Sequence, residues 1–394
     1  MPNTHDFEAP IVYTDWDSKK RSSEIVPDGV IPMWIADTDF RCPQPVLDAL
    51  SERLQAGILG YTVTSQRLRS AVKRWEKVRF GWEVEENWVR FSPGVIAGVT
   101  AAVRALTNPG DNLVLQTPCY TPFMRMARNN GRNLLRNPLR RTETGWEIDF
   151  ADLEDKLRQP RTRMFILCNP QNPTGRVFTP EELREVGRLC RKYDITVISD
   201  EIHSDFVYSG HRHTPFASLS EEFAQHCITF INPSKTFNVA GLHTGAMIAR
   251  SEQLLSRVED ILTAQKSISE NVFGTLALCT AYEQCDYYAD GIVRHLEGNI
   301  QTAVERVGAI SGLSFQPPEG TYLFWLDCRA WGLSQEKLER FFLEKAKLRL
   351  SSGTEYGPEG EGYMRMNGAC TRKTLEEAFR RIQTALAQPD AFHL

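Results

Sequence analysis

Between residues 90 and 250, short apolar runs alternate with longer stretches of helical spacing. Val95–Leu106 has helical composition. Asn112–Gln116 reads as a short buried strand ending at Thr117-Pro118, and Met164–Cys168 as another ending at Asn169-Pro170. Thr179-Pro180-Glu181-Glu182 is a capping box with proline at the first helical position. Leu183, Val186 and Leu189 then mark one face of the helix it opens. Ile195–Ser199 and Ile228–Ile231 complete the series of strands. Alternation of this kind predicts an α/β fold, a mostly parallel sheet covered by helices. Ligands of such sheets sit beyond the carboxyl ends of the strands. Tyr120, Asn172, Asp200 and Lys235 each fall just past such an end. From roughly residue 290 the pattern changes to helical stretches flanking the strand Tyr322–Leu326, a second and smaller unit.

Composition narrows the possibilities. A chain of 394 residues, 41% hydrophobic and 24% charged, buries a large core and has two domains as its natural organisation. A net charge of -4 gives no general attraction to nucleic acid or anionic membranes, so an anionic ligand must be held by local groups. The 9 cysteines are scattered without a CxxC pair, which argues for reduced thiols rather than a disulfide framework or a zinc site. Met1-Pro2-Asn3-Thr4-His5-Asp6 is polar, and no segment reads as an apolar membrane span, so a cytoplasmic protein is expected. His203, His211 and His213 lie close together but lack diagnostic metal-ligand spacing. No G-x-S-x-G elbow supports a serine hydrolase.

One amide, one carboxylate and one amine, each after an apolar β-like run, stand out. They are Asn172 in Asn169-Pro170-Gln171-Asn172-Pro173-Thr174-Gly175, Asp200 in Ile198-Ser199-Asp200-Glu201, and Lys235 in Asn232-Pro233-Ser234-Lys235-Thr236-Phe237-Asn238. This is the set needed to hold pyridoxal phosphate: the amine forms a Schiff base with the aldehyde, the carboxylate pairs with the pyridine nitrogen, and the amide donates to the ring oxygen. Plainer readings exist. Asn-Pro-Thr-Gly is turn chemistry in any protein, and Asp200 could cap a helix. A surface lysine, however, does not normally follow an apolar strand and a Pro-Ser turn.

With these residues the chain resembles the fold-type I pyridoxal-phosphate enzymes of the class I/II aminotransferase superfamily. More narrowly, it is similar to the carbon–sulfur β-lyases of the cystathionine β-lyase (MalY/PatB) group. Further marks are Pro32-Met33-Trp34-Ile35-Ala36-Asp37-Thr38-Asp39-Phe40, Gly60-Tyr61-Thr62, Ser92-Pro93-Gly94-Val95, Asp200-Glu201-Ile202-His203-Ser204-Asp205, Tyr356-Gly357-Pro358 and Met364-Arg365-Met366-Asn367. The resemblance implies a large domain at 49–288 with a mostly parallel seven-stranded sheet, a smaller α/β domain at 289–394, and a segment 1–48 packing with the latter. It implies pyridoxal 5'-phosphate on Lys235, paired with Asp200, bonded by Asn172, stacked by Tyr120 and adjoined by His203. Its phosphate would meet Gly94, Val95 and Ile96 at a helix N-terminus, the Ser234 hydroxyl, and Tyr61 of a second subunit. Arg365 would clamp the substrate carboxylate through two parallel N–H donors, and Trp34, Ile35 and Ala36 would line the entrance. Asp37 and Asp39 receive no role.

Two positions depart from relatives. His243 stands where aspartate-type aminotransferases place a phosphate-binding arginine, a change shared by the lyases. Ser352-Gly353 stands where relatives commonly have Pro-Gly. The implied activity is α,β-elimination from L-cystathionine or a related S-substituted cysteine, giving a thiol, pyruvate and ammonia. An aminotransferase would use the same residues, as would a β- or γ-substitution enzyme. Some relatives also bind a transcription regulator, so an added regulatory partner is a further alternative.

Overall fold

The middle of the chain is organised by a 7-stranded sheet. Its strands are β1 (Val89–Ser92), β2 (Asn112–Thr117), β3 (Asn133–Pro138), β4 (Thr162–Cys168), β5 (Thr196–Asp200), β6 (Cys227–Ile231) and β7 (Gly245–Ile248). The structure is a computed structural model, and it describes residues 4–11, 13, 18–63, 66–143, 145–267 and 270–393. Across the sheet the order is β1-β7-β6-β5-β4-β2-β3. Neighbours run parallel except β7, which is antiparallel to both β1 and β6. The chain therefore moves outward from β2 to β3, then returns to build β4, β5 and β6 on the other side. That reversal opens a crevice between the carboxyl ends of β2 and β4, the usual ligand position in such sheets.

Both faces of the sheet are buried at its inner strands, which is why those strands read as apolar runs, whereas the edge strand β3 is partly exposed. Met164 and Ile166 point into one core with Val99, Val103, Leu255 and Val258; Phe165 and Leu167 point into the other with Leu183, Val186 and Leu189. The capping box is formed: Thr179 Oγ1 accepts from the Glu182 backbone at 3.2 Å, and Glu182 Oε2 accepts from the Thr179 backbone at 2.7 Å.

A second, 4-stranded antiparallel sheet lies further along the chain. It is built from β8 (Ser314–Phe315), β9 (Leu323–Asp327), β10 (Ser351–Ser352) and β11 (Tyr363–Asn367), in the order β8-β9-β11-β10. β9 starts one residue later than the pattern Tyr322–Leu326 predicts, after Thr321 at φ 67°. Helices Asp286–Gly308 and Arg372–Leu386 pack against one another over this part of the molecule. Ile31–Pro32 pairs in parallel with Leu348–Arg349, and the Asn367 backbone donates to the Met33 carbonyl at 2.8 Å. The segment after residue 30 thus crosses from the second sheet to the mouth of the crevice. No described helix is long and apolar enough to cross a membrane.

Candidate active site

A cavity of about 480 Å³ opens at the carboxyl end of the large sheet. Ala36, Gly94, Val95, Ile96, Tyr120, Asn172, Asp200, His203, Ser234 and Lys235 all line it, joined by Cys168, Asn232 and His243. Ten residues nominated from sequence thus share one wall. Their strands explain it: Gly94 follows β1, Tyr120 follows β2, Asn172 follows β4, Asp200 ends β5, and Ser234 and Lys235 follow β6.

Gly94 shapes one end of the cavity. It precedes the helix Val95–Leu106 with φ 117° and ψ 160°, and no side chain among the described residues caps that helix. Only glycine takes such a backbone readily. A Cβ there would meet nothing within 4 Å, so conformation rather than space requires the glycine. The uncapped N–H groups and the helix dipole face the cavity as an anion site.

At the other end lie the charged groups. Asp200 is buried; it accepts from the Ile202 backbone at 3.2 Å and lies 3.9 Å from the Cys168 thiol. Burial pushes its carboxyl up to about 7, with the Ile202 N–H pulling the other way. Among the described residues no cation pairs with this carboxylate, and a positively charged ring nitrogen in the cavity would supply one. His203 is also buried, and its Nδ1 has no hydrogen-bond partner among the described residues. Burial, with Lys235 and Arg365 nearby, drives its pKa down to about 3, so the ring is neutral.

Lys235 donates to the Ala36 carbonyl at 2.8 Å and lies 3.7 Å from Asp37 Oδ1. Burial lowers its pKa below the ordinary lysine value, with Asp37 opposing that shift. Burial raises that of Tyr120, which leaves a neutral hydroxyl and an aromatic face at the cavity wall. The residues therefore fit an aldehyde-bearing, anionic aromatic ring. There is an amine for the aldehyde, a carboxylate for a ring cation, a flat wall, and a helix N-terminus for a phosphate.

Arg365 sits behind the cavity on β11, buried. Its Nη1 donates to Asn172 Oδ1 at 3.2 Å and its Nη2 to the Trp34 carbonyl. The guanidinium lies 5.0 Å from the centre of the Tyr356 ring, and its Nε has no partner among the described residues. Because Asn172 Oδ1 faces Arg365, the amide NH₂ is its remaining hydrogen-bonding group.

The remaining nominated residues divide. Trp34 and Ile35 contribute carbonyls rather than cavity wall: the Trp34 oxygen accepts from Arg365 and Ser351, the Ile35 oxygen from Asn367. Tyr61 is fully exposed and is not among the residues lining this chain's cavity. His243 lines the cavity at φ 46°. Ser352 accepts from Gln335 Nε2 at 2.9 Å and is not a cavity residue. Sequence reasoning missed Asp37 as a neighbour of Lys235, and Tyr322, which donates to the same Ala36 carbonyl at 2.8 Å. Asp37 was visible within Trp34–Phe40, but nothing in the order of residues announces a contact across nearly 200 positions.

The chain belongs to the aminotransferase class I and II family, which matches residues 36–382. Among named relatives, cystathionine β-lyase PatB of Bacillus subtilis is 43% identical over 358 residues, 91% of this chain and 92% of that one. Cystalysin of Treponema denticola, solved with a pyridoxal 5'-phosphate cofactor, superposes with a TM-score of 0.94 at 30% identity, covering 97% of this chain and 99% of that one. The pyridoxal-phosphate-bound C–S lyase of Staphylococcus hominis gives 0.89 at 30% identity, covering 98% and 100%.

Proposed function

We propose that this protein is a pyridoxal-phosphate-dependent carbon–sulfur β-lyase. It cleaves L-cystathionine or a related S-substituted cysteine to a thiol, pyruvate and ammonia. The observation that carries this reading is the single cavity joining the Lys235 amine, the buried Asp200 carboxylate and the open helix N-terminus at Gly94. The likeness to PatB and the C–S lyases selects elimination over transamination.

Lys235 is the residue to which the cofactor aldehyde would be joined. Asp200 would pair with the ring nitrogen, Asn172 would donate to the ring oxygen, and Tyr120 would stack on the ring with His203 beside it. Gly94, Val95, Ile96 and Ser234 would hold the phosphate. When bound, the cofactor supplies an electron sink for the charge left at the substrate Cα. The protein does the rest. Arg365 holds the substrate carboxylate and so fixes which Cα bond lies across the ring plane. Lys235, whose proton affinity burial lowers below that of an ordinary lysine, takes the Cα proton as general base. The C–S electron pair then leaves with the sulfur, and the remaining three-carbon fragment hydrolyses to pyruvate and ammonia.

The proposal extends to organisation. Segment 1–48 works with a small domain at 289–394, and 49–288 is the cofactor-binding domain. The protein acts in the cytoplasm as a homodimer. Leu54, Ile58, Leu59, Tyr61 and Val63 form an exposed apolar run suited to a second copy, through which Tyr61 would reach the neighbouring phosphate.

The test is to offer L-cystathionine without any keto acid. Pyruvate and a free thiol are expected. Turnover that requires 2-oxoglutarate or pyruvate as amino acceptor would replace this reading with an aminotransferase.

A further inference from the structure

Asp37 belongs to a strap, residues 34–37, whose main-chain carbonyls are all held by side chains. The Trp34 oxygen accepts from Arg365 Nη2 and from Ser351 Oγ at 2.9 Å. The Ile35 oxygen accepts from Asn367 Nδ2 at 2.6 Å. The Ala36 oxygen accepts from Tyr322 and from Lys235, both at 2.8 Å. The Asp37 oxygen accepts from Asn367 Nδ2 at 2.7 Å and Lys20 Nζ at 3.0 Å. The path of this backbone is therefore set independently of the Asp37 carboxylate. Lys20 is itself engaged by Asp39, at 2.9 Å. The Asp37 side chain is left to meet Lys235 Nζ at 3.7 Å.

The Ala36 carbonyl accepts from the amine whether or not the amine is charged. A carboxylate discriminates, because it favours the ammonium form. The other groups facing the amine are Arg365, which opposes a charge there, the more weakly acting Asp200, and the neutral His203. Tyr322 reaches it only through the shared carbonyl. Among the causes acting on this amine, Asp37 is the largest that favours its charged form.

We propose that Asp37 is the charge partner of Lys235 in catalysis, holding the ammonium that exists between removal of the Cα proton and its delivery to the departing sulfur. The balance is simple. One proton passes from Cα to Nζ and from Nζ to the thiolate, and the C–S electron pair stays with sulfur. No external oxidant or reductant takes part. Without the carboxylate the ammonium is stranded beside Arg365: the amine becomes a weaker base toward the Cα proton, and that first transfer loses driving force. This proposal rests on Lys235 being the acid–base amine.

The test uses the full chain stripped of cofactor and an amine-reactive ester. Labelling of Lys235, located by peptide mass, is followed over a pH series. The ester needs the neutral amine, so the labelling midpoint reports its proton affinity. Asp37→Asn is expected to lower that midpoint by about one pH unit, a roughly tenfold loss of proton affinity. Asp37→Glu, which keeps the charge, is expected to stay near the parent. In cofactor-loaded protein the acidic limb of kcat should move the same way in the Asn variant and return in the Glu variant. Asp37→Ser carries the same expectation if the Asn variant does not fold. An unchanged midpoint in the charge-removing variant overturns the proposal, as does a Glu variant that behaves like Asn. Failure of the underlying reading looks different: borohydride reduction of the cofactor-loaded parent would leave its label on a residue other than Lys235.

Discussion

Arg365 and Asn172 stand 193 positions apart in the chain and meet at 3.2 Å, guanidinium to amide oxygen. One residue comes from the central region of the second sheet, the other from the turn after β4. The contact aligns the proposed substrate clamp with the proposed donor to the cofactor, so substrate and ring are registered by one bond. Arg365→Ala is expected to lower kcat/KM for L-cystathionine by roughly a hundredfold or more, since it leaves buried partners unpaired. The cofactor's visible absorption should remain. Arg365→Lys should recover little, because a point charge cannot match the planar fork. Steady-state kinetics beside an absorbance spectrum check both.

Lys235→Ala should abolish turnover and also the borohydride-fixed cofactor label on this segment. Peptide mass after reduction reads the second effect without any activity assay. Retained turnover would remove Lys235 from its role.

Asp200 makes stability depend on pH in the cofactor-free protein. Its folded pKa is about 7 against an ordinary 3.8. Between those values the folded chain binds more protons than the unfolded one, so Asp200 costs stability increasingly as pH rises from about 4 to about 7. His203 works oppositely: its folded pKa is about 3 against 6.5, so stability is lost as pH falls through that window. The slopes overlap, and a single variant separates them. Asp200→Asn should become more stable relative to the parent as pH rises, by up to roughly 4 kcal/mol near neutrality. Denaturant melts at several pH values check this. A difference that does not grow with pH would show that Asp200 ionises freely in the fold.

Gly94→Ala should cost about 1–3 kcal/mol, because φ 117° is strained for any residue with a Cβ even where space is open. If the chain relaxes, the helix N–H groups turn away from the cavity. Cofactor affinity should then fall along with the melting temperature. Equilibrium dialysis against pyridoxal phosphate measures the first, calorimetry the second.

Tyr61→Ala should weaken cofactor binding in a dimer while leaving each chain folded. Mixing it with a Lys235→Ala variant should restore one competent site per hybrid dimer, if Tyr61 serves the neighbouring subunit. Absence of complementation in a demonstrated hybrid would confine the site to one chain.

Much of this molecule was legible in the order of its residues. The buried strands announced themselves because a sheet covered on both faces needs uninterrupted apolar runs. The capping box set the start of Pro180–Lys192 because its bonds span three residues. Asn172, Asp200 and Lys235 were legible because each lies at or just past the carboxyl end of a strand, and parallel strands bring those ends to one edge of the sheet. β7 is short and antiparallel, and its register comes from β1 and β6 rather than from its own pattern.

What the tertiary structure alone decided is how these groups act on one another. Burial near Lys235 sets the Asp200 carboxyl and the His203 ring far from their ordinary values, and burial is a property of the assembled fold. The strap at 34–37 meets Lys235 only because carbonyls distant in sequence are captured by Arg365, Asn367, Tyr322 and Lys20. Local sequence can specify an amine and a carboxylate. Only the folded chain fixes the 3.7 Å between them, because electrostatic coupling depends on separation in space and on the water excluded around it.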